Sequence, residues 1–306
     1  MKSILGFALV TCSLIQGAQA GVRAFPIPTR DSEPVSITLG PDGNLWFTEQ
    51  NASNVARVTP DGIITEFRTP TFSFPNAITA GPDGNVWFSE GAAGQIAFIT
   101  PSGRITEIPF STSGVPGGIV TGPDGNIWFT DLVGNSVWRL ELATRTLTSF
   151  PVPTPDSFPG DITVGSDGNL WFVEGAGKIG RITPEGVITE FGNGLSLPYS
   201  IALGPDGNIW FTLRFSAQLG RITPAGVFTF HPIPNSAEQI APGHGNTLIF
   251  TEFGSSRIGK ITTAGVATES PEFPGSNPTG IALGSDRRIW FLGYGNDRVY
   301  RATFGR

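Results

Sequence analysis

The chain of 306 residues is poor in residue types that many other folds depend on. Charged residues make up 14% of it, and it contains one cysteine, one methionine and two histidines. A single cysteine, Cys12, excludes an internal disulfide. No run of lysines and arginines offers a basic patch, so we expect no nucleic-acid partner. By contrast, 41 glycines and 26 prolines, with no long apolar pattern of helical period, favour an all-β fold of short strands and tight turns.

The first twenty residues differ from the rest of the chain. Lys2 precedes a mostly apolar stretch, Ile4–Ile15, and Ala18-Gln19-Ala20 has the small-x-small form of a signal peptidase site. The stretch is typical of a secretory signal and is too short for a spanning helix. We therefore predict a signal peptide over residues 1–20 and one mature domain over residues 21–306. The mature protein is then secreted, extracellular or periplasmic, with no membrane contact, and we expect a monomer.

One decapeptide, GPDGNLWFTE at Gly40–Glu49, recurs along the whole chain. Including two degraded copies it occurs seven times, with start-to-start spacings of 39 to 43 residues; the later copies are at 81–90, 122–131, 165–174, 204–213, 243–252 and 284–293. A repeat of about 40 residues with several short strands per unit is typical of a propeller blade. The sequence therefore predicts a seven-bladed β-propeller.

The two ends of the chain predict how the ring closes. The last repeat contains three strand patterns before the sequence ends, so its fourth strand is missing. Ala24–Thr29 (AFPIPT) is similar to Ser149–Thr154 (SFPVPT), which ends a fourth strand in another repeat. We therefore expect the N-terminal segment to complete the last blade, which leaves no exposed inner edge.

The repeat also resembles a known family. It combines Pro-x-x-Ile, as in Pro34–Ile37, with the decapeptide and with a third element such as IGRITPEG at Ile179–Gly186. This combination resembles the virginiamycin B lyase (streptogramin lyase) family of seven-bladed propellers. The resemblance implies elimination that opens a cyclic depsipeptide at its ester bond, assisted by Mg²⁺. In that family histidines follow the proline of Pro-x-x-Ile, and metal-binding glutamates lie beside that proline and at the end of Trp-Phe-x-Glu.

This sequence departs from the family pattern at the histidines. The residues after the proline position are Val35, Asn76, Gly117, Gly160, Tyr199, Glu238 and Thr279. His231 and His244 lie elsewhere in their repeats and do not match the family's base. The acidic position is better kept, since five second strands end in a carboxylate.

A hairpin places the start of its first strand and the end of its second at the same end of a blade. We therefore expect a ligand-binding funnel at the central opening, formed by Glu49, Glu90, Asp131, Glu174, Tyr199 and Arg214. Clustered carboxylates raise one another's pKa or recruit a hard cation, Mg²⁺ or Ca²⁺, and Glu90, Glu174 and Glu252 are the candidate metal ligands. The alternative is that these carboxylates only cap the blades through hydrogen bonds to loop N–H groups.

Three functions fit these features. The first is a secreted lyase-like enzyme that uses a divalent cation and acts on a small metabolite or lactone, with Glu238 or Glu252 in place of the imidazole base. The second is a secreted propeller that binds a small molecule or a glycan without chemistry. The third is a lactonase-type hydrolase that binds calcium in its funnel.

Overall fold

The computed structural model describes residues 21–110 and 113–303. This part of the chain is all-β and forms seven four-stranded antiparallel sheets, which confirms the seven-bladed propeller. The predicted signal peptide over residues 1–20 lies outside the described residues. Within the described part, no helix is long and apolar enough to cross a membrane.

After the first strand, the strands follow one another in chain order, four to each of six blades and three to the last. The first strand and the first three blades are β1 (Val22–Pro26), β2 (Pro34–Leu39), β3 (Leu45–Glu49), β4 (Asn54–Val58), β5 (Ile64–Arg68), β6 (Pro75–Ala80), β7 (Val86–Glu90), β8 (Gln95–Ile99), β9 (Ile105–Pro109), β10 (Pro116–Thr121), β11 (Ile127–Asp131), β12 (Ser136–Glu141) and β13 (Thr146–Pro151). The fourth and fifth blades are β14 (Pro159–Val164), β15 (Leu170–Glu174), β16 (Lys178–Ile182), β17 (Ile188–Phe191), β18 (Pro198–Leu203), β19 (Ile209–Leu213), β20 (Gln218–Ile222) and β21 (Phe228–Pro232). The last two blades are β22 (Ile240–Pro242), β23 (Thr247–Glu252), β24 (Arg257–Thr262), β25 (Ala267–Glu269), β26 (Pro278–Leu283), β27 (Ile289–Gly293) and β28 (Arg298–Ala302).

The Trp-Phe pair of the decapeptide forms the core between blades. Because successive strand residues point to opposite faces, Trp46 packs toward the next blade against Ile78 and Phe88. Phe47 packs toward the last blade, in a cluster with Trp290. All six tryptophans of the repeat are fully buried. The second strand of each blade is therefore covered on both faces.

The turn before each tryptophan holds its indole N–H. In the first blade Trp46 Nε1 donates to Asp42 Oδ1 over 3.0 Å, and the same bond recurs in the other blades that keep Trp and Asp. The Asp-Gly turn thus satisfies the one polar atom that burying a tryptophan would otherwise leave without a partner.

The N-terminal strand closes the ring, as predicted from the repeat count. β1 pairs antiparallel with β28, from Val22 opposite Ala302 to Pro26 opposite Arg298. Phe25 stacks on Trp290 with ring centroids 5.7 Å apart. The closing blade therefore contains strands from both ends of the chain, in the order β1-β28-β27-β26.

Candidate functional site

A β-bulge at the start of the innermost strand shapes the central opening. In the first blade Pro34 pairs with Glu49 and Ile37 pairs with Phe47. Two residues of the first strand, Val35 and Ser36, therefore lie opposite one residue of the second strand, Thr48. The same shift occurs between proline and isoleucine in five other blades. Such bulges re-aim side chains. Here they direct the two variable residues of Pro-x-x-Ile toward the opening.

Hydroxyl groups of the second strands hold these bulges in place. Thr48 Oγ1 accepts the N–H of Ser36 over 3.2 Å and donates to the carbonyl of Asn76 in the next blade over 2.7 Å. Ser89 does the same for the Gly117 carbonyl over 2.8 Å. The hydroxyl position of Trp-Phe-x-Glu therefore links the mouths of neighbouring blades, which makes the opening a preorganised surface.

A cavity of about 330 Å³ lies at this opening. Most of its wall comes from the variable residues of the first strands, and the rest from the loops beside them. The lining residues are Val35, Ser36, Asn76, Ala77, Gly117, Gly118, Leu132, Phe158, Gly160, Asp161, Val173, Gly175, Leu197, Pro198, Tyr199, Ser200, Arg214 and Gln239. This wall combines polar side chains, such as Asn76, Tyr199 and Arg214, with apolar residues and glycines.

Three polar residues form a cluster at the wall: Tyr199, Arg214 and Glu238. Arg214 Nη2 lies 3.0 Å from Glu238 Oε1, and the guanidinium carbon of Arg214 lies 4.4 Å from the centre of the Tyr199 ring. Burial raises the pKa of Tyr199 to about 12, and the Glu238 carboxylate adds to the rise. Burial also raises the pKa of Glu238, while Arg214 and a hydrogen bond from Tyr199 oppose the rise. The cluster is thus a cation held between an aromatic face and a carboxylate.

Asp161 also lines the cavity, but its oxygens are already occupied. Oδ1 accepts the N–H of Ile162 over 2.9 Å, and Oδ2 accepts the Ser200 hydroxyl over 2.8 Å and the Ile201 N–H over 3.0 Å. Burial raises the pKa of this carboxyl in spite of these donors. Asp161 therefore ties the innermost strands of the fourth and fifth blades together.

The carboxylates that end the second strands do not line the cavity, which differs from the funnel expected from the sequence. Glu49, Glu90, Glu174 and Glu252 are 0% exposed and Asp131 is 2% exposed. The hairpin argument placed their backbone at the correct end of the blade. It did not place their side chains, which bond to side chains of the third strands and adjoining loops, as Glu49 does to Asn54 and Glu252 to Ser255.

Glu49, Glu90, Asp131 and Glu252 instead bind groups close to their own blades, whereas both Glu174 oxygens are buried without a hydrogen-bond partner among the described residues. Glu49 accepts from Asn54 Nδ2 over 3.1 Å, and Glu90 accepts from Ser73 Oγ over 2.7 Å and Gln95 Nε2 over 2.8 Å. Asp131 Oδ1 accepts the loop N–H groups of Val115 and Gly134. These bonds attach the linkers between blades to the strand ends.

Glu252, one of the two candidate bases, is also enclosed. It accepts from Asn235 Nδ2 over 3.2 Å and from Ser255 Oγ over 2.8 Å. Of the two carboxylates expected to act as a base, only Glu238 contacts a side chain that lines the cavity.

The candidate metal ligands Glu90, Glu174 and Glu252 lie in three different blades, and each is fully buried. Across residues 21–110 and 113–303, no group of three or more His, Cys, Asp or Glu side chains is arranged to hold a metal ion. These glutamates therefore do not fit a shared Mg²⁺ or Ca²⁺ site. Burial disfavours the charged form of these side chains. It raises the pKa of Glu49 and Glu174 to about 8 and that of Glu90 and Glu252 to about 7.

Several lining residues were not among those expected from the sequence. Phe158 and Leu197 immediately precede the proline of their Pro-x-x-Ile elements, and both have left-handed backbone, with φ of 51° and 45°. Non-glycine residues of this conformation are uncommon and concentrate at functional sites. The sequence signal that could have identified them is a large apolar residue directly before the proline of Pro-x-x-Ile.

The two histidines lie away from the cavity. His231 stacks on Trp210 with ring centroids 4.9 Å apart, in the place that phenylalanine takes beside Trp46 and Trp171. Burial lowers its pKa. His244 Nε2 lies 2.6 Å from the carbonyl oxygen of Arg287. Neither imidazole lines the cavity.

Comparison with known proteins gives a consistent result over most of the chain. The sequence model of the virginiamycin B lyase family matches residues 15–196 and 192–305. The structure of selenomethionine-substituted virginiamycin B lyase from Staphylococcus aureus is 35% identical, with 93% of this chain and 99% of that chain covered and a TM-score of 0.88. A streptogramin B lyase structure is 32% identical, with coverage of 93% and 97% and a TM-score of 0.88.

A third similar structure is a catalytically inactive histidine-to-alanine variant of virginiamycin B lyase from Staphylococcus aureus with quinupristin. It is 34% identical, with 93% of this chain and 99% of that chain covered and a TM-score of 0.87. No curated protein matches the chain.

Proposed function

This chain belongs to the virginiamycin B lyase family, and we propose that it is a secreted, streptogramin-lyase-like propeller whose central cavity binds a small metabolite. The observation that carries the proposal is the cavity itself, with the Tyr199–Arg214–Glu238 cluster at its wall. A concave, largely apolar site with a few convergent polar groups is the usual form of a small-molecule site.

The residue types at the mouth favour binding over the family's chemistry. None of the seven residues after the proline position is histidine, and we infer that the imidazole base of the family is missing here. Leu213 and Gly293 end second strands where other blades have an acidic residue. The ion pair with Arg214 also opposes proton uptake by Glu238, because it stabilises the charged carboxylate.

A lyase remains the second candidate, favoured by the raised pKa of Glu238 at the edge of the cavity. Acting on an ester with a carbonyl next to the acidic C–H, the Glu238 carboxylate would take that proton. The C–H electrons would form a carbon–carbon double bond, and the carbon–oxygen bond to the acyloxy group would break to release a carboxylate. Arg214 would stabilise the negative charge that develops on the carbonyl oxygen.

A lactonase-type hydrolase has less support. It needs carboxylate and amide oxygens free to bind calcium in the funnel. Among the lining residues, Asn76, Asp161 and Gln239 carry such oxygens, and the Asp161 oxygens already accept three hydrogen bonds from Ile162, Ser200 and Ile201.

The binding proposal is tested by screening small metabolites against the mature protein with ligand-observed NMR. Gly160→Val adds bulk to the cavity wall, because Gly160 and Val173 both line the cavity and a Cβ at position 160 has only Val173 Cγ2 within 4 Å, at 3.1 Å. Ala93→Val is the matched control, because Ala93 lies in a loop and does not line the cavity. We expect ligands that bind the wild type and Ala93→Val but not Gly160→Val. If no molecule distinguishes these proteins, the proposal is wrong.

A type B streptogramin separates this protein from the enzymes that it resembles. We expect no linearisation in the presence of Mg²⁺, since no imidazole lies at any Pro-x-x-Ile position. The measurement is chromatography of the cyclic substrate after incubation with the mature protein. Turnover that is lost in Glu238→Gln would instead establish the lyase function with a carboxylate base.

Metal assistance is tested by thermal unfolding of the mature protein with added Mg²⁺ or Ca²⁺. A ligand that binds only the folded state raises stability by about 2.7 kcal/mol at a hundredfold excess over Kd. We expect no rise, because the acidic strand ends are enclosed one to a blade. A metal-dependent rise that disappears in the Glu90→Gln, Glu252→Gln double variant would contradict this expectation.

A further inference from the structure

We propose that Arg214 anchors a carboxylate group of the ligand, and that the ligand of this site is a small apolar or aromatic carboxylic acid. The inference rests on the proposed function, since it names the chemical class of the molecule bound in the central cavity. It follows from the charge, the rigidity and the apolar surroundings of this one side chain.

Arg214 is the charged side chain of the cavity wall that a ligand can contact. The lining contains two charged side chains, Arg214 and Asp161. The oxygens of Asp161 are taken by Ser200, Ile162 and Ile201, whereas the side chain of Arg214 is 42% exposed. A ligand therefore meets a positive group on the wall, and its complementary group is an anion.

The guanidinium is held in one place before a ligand arrives. Tyr199 lies under it at 4.4 Å, and Glu238 pairs with Nη2 at 3.0 Å. Arginine has five N–H donors in a planar fork that fits a carboxylate with two parallel bonds. One oxygen of Glu238 contacts one end of this fork, so donors remain for a second carboxylate. Preorganisation of this kind reduces the ordering cost of binding.

Glu238 acts here as a positioning residue. Two carboxylates on one guanidinium repel each other, and burial already raises the pKa of Glu238, so Glu238 can take up a proton when the ligand binds. Tyr199, which donates to Glu238, remains in place in either state. Binding of an acid should then be accompanied by proton uptake.

The rest of the wall selects an apolar body for the ligand. Beside the polar cluster, the third and fourth blades contribute Leu132, Phe158 and Val173 together with Gly117, Gly118 and Gly160. Phe158 is 52% exposed, so its ring offers a stacking surface. A glycan would leave its hydroxyl groups without partners beside these residues, which costs free energy. The volume of about 330 Å³ lies at the lower end for small-ligand sites and limits the acid to a small molecule.

The experiment compares two probes of the same apolar body, 4-phenylbutyrate and its neutral amide 4-phenylbutyramide, in which an NH2 group replaces one carboxylate oxygen. Their affinities for the full mature protein are measured by isothermal titration calorimetry in two buffers of different ionisation enthalpy. We expect the acid to bind at least about tenfold more tightly than the amide, with proton uptake that is absent in Glu238→Gln.

Arginine variants test the assignment directly. Arg214→Gln should abolish the preference for the acid, and Arg214→Lys, which keeps the charge without the fork, should retain part of it. Arg104→Gln, an exposed arginine before β9 on the turn that follows β8, is the matched control and should bind like the wild type. Thermal unfolding of each variant verifies that it is folded.

The outcomes separate this inference from the proposed function. If acid and amide bind equally, or if Arg214→Gln keeps the preference, the inference is wrong while the cavity remains a ligand site. If the acid fails to bind but other metabolites bind in a manner blocked by Gly160→Val, the inference is also wrong and the proposed function stands. If nothing in the metabolite screen is blocked by Gly160→Val, both are wrong.

Discussion

At the scale of single residues, the most unusual groups are the glutamates that end four of the second strands. Glu49, Glu90, Glu174 and Glu252 are fully buried, and burial is the largest cause of their raised pKa values. Each of them also lies near a second glutamate on the fourth strand of its blade, Glu66, Glu107, Glu190 or Glu269. Each pair is easier to bury with a shared proton than with two charges.

These groups make the fold more stable in mild acid. A carboxyl whose pKa is raised by folding holds its proton in the folded state above pH 4.5 and loses it in the unfolded state. Stability is therefore greatest below that pH and decreases as the pH rises through about 7 to 8. We expect the thermal midpoint to fall between about pH 5 and about pH 8.5, by about 2–4 °C for each kcal/mol lost.

Glu174→Gln isolates one contribution to this pH dependence. The variant should show a smaller fall of the midpoint with pH, because a neutral amide replaces the buried acid. Glu185→Gln, an exposed glutamate of the same blade, is the control and should follow the wild type. His231 has a lowered pKa and acts in the opposite direction below about pH 6.5, but it is present in all three proteins. Identical profiles for Glu174→Gln and wild type would contradict the assignment.

At the scale of elements, neighbouring blades meet where an aromatic ring of one blade lies over a glycine of the next. Gly186, in the turn between β16 and β17, has a φ of +93°, and a Cβ there would come within 2.1 Å of the Phe150 ring of β13. Gly62 relates to Phe25 in the same way across the closure of the ring. The Thr-Pro-x-Gly turn is thus required by packing as well as by its own backbone conformation.

Gly186→Ala and Gly168→Ala separate these two requirements. Both glycines have positive φ, but a Cβ at Gly168 has no atom within 4 Å. We expect Gly186→Ala to lower the free energy of unfolding by about 1–3 kcal/mol more than Gly168→Ala, because it also overpacks the blade interface. Urea unfolding measures both values. In a Phe150→Leu background the difference should shrink, and an unchanged difference would place the cost in the backbone alone.

At the scale of the whole molecule, one strand from the N-terminal end joins the two ends of the ring. Removing β1 leaves β28 as an exposed edge and takes the stacking partner from Trp290. Asp297, which accepts the N–H groups of Asp31 and Ser32, also fastens the linker that follows β1. The closing blade is therefore the part of the ring most sensitive to truncation.

Deletion of residues 21–29 should lower the thermal midpoint of the mature protein by roughly 5 °C or more. Phe25→Ala keeps the strand pairing of β1 but loses the ring stacked on Trp290, so its midpoint should lie between those of the truncated and full proteins. Differential scanning calorimetry compares the three. Equal midpoints for the truncated and full chains would show that β1 contributes no stability to the closed ring.

Much of the fold follows from short-range patterns in the sequence. Alternation of apolar and polar residues predicts strands at Lys178–Ile182 and Gln218–Ile222, which are the bounds of β16 and β20. The Gly-Pro-Asp-Gly turn predicts a hairpin whose second strand returns at Leu45–Glu49, which is β3. Ring closure follows from counting strands in the first and last repeats. Each of these conclusions depends on residues within one blade or on comparison between blades.

The residues of the candidate site could be predicted from the sequence only in part. Tyr199 and Arg214 line the cavity, and both could be placed there from their positions after the proline and after the second strand. The carboxylates at the strand ends could not be placed, because their burial depends on donors that the linkers bring beside them, such as Ser73 for Glu90 and Asn235 for Glu252. Phe158 and Leu197 were missed because their left-handed backbone is not visible in a pattern of apolar residues.

The sequence by itself therefore determined the blade, the number of blades and the strand that closes the ring, because the turns and alternation that encode them act over a few residues. Only the tertiary structure decided which side chains meet at the centre. Gln239 donates to the carbonyl of Val35, 204 residues away, and Ser73 of one linker donates to Glu90 of the following blade. Such contacts exist only once the ring has closed, since the separation between the partners is set by the packing of whole blades.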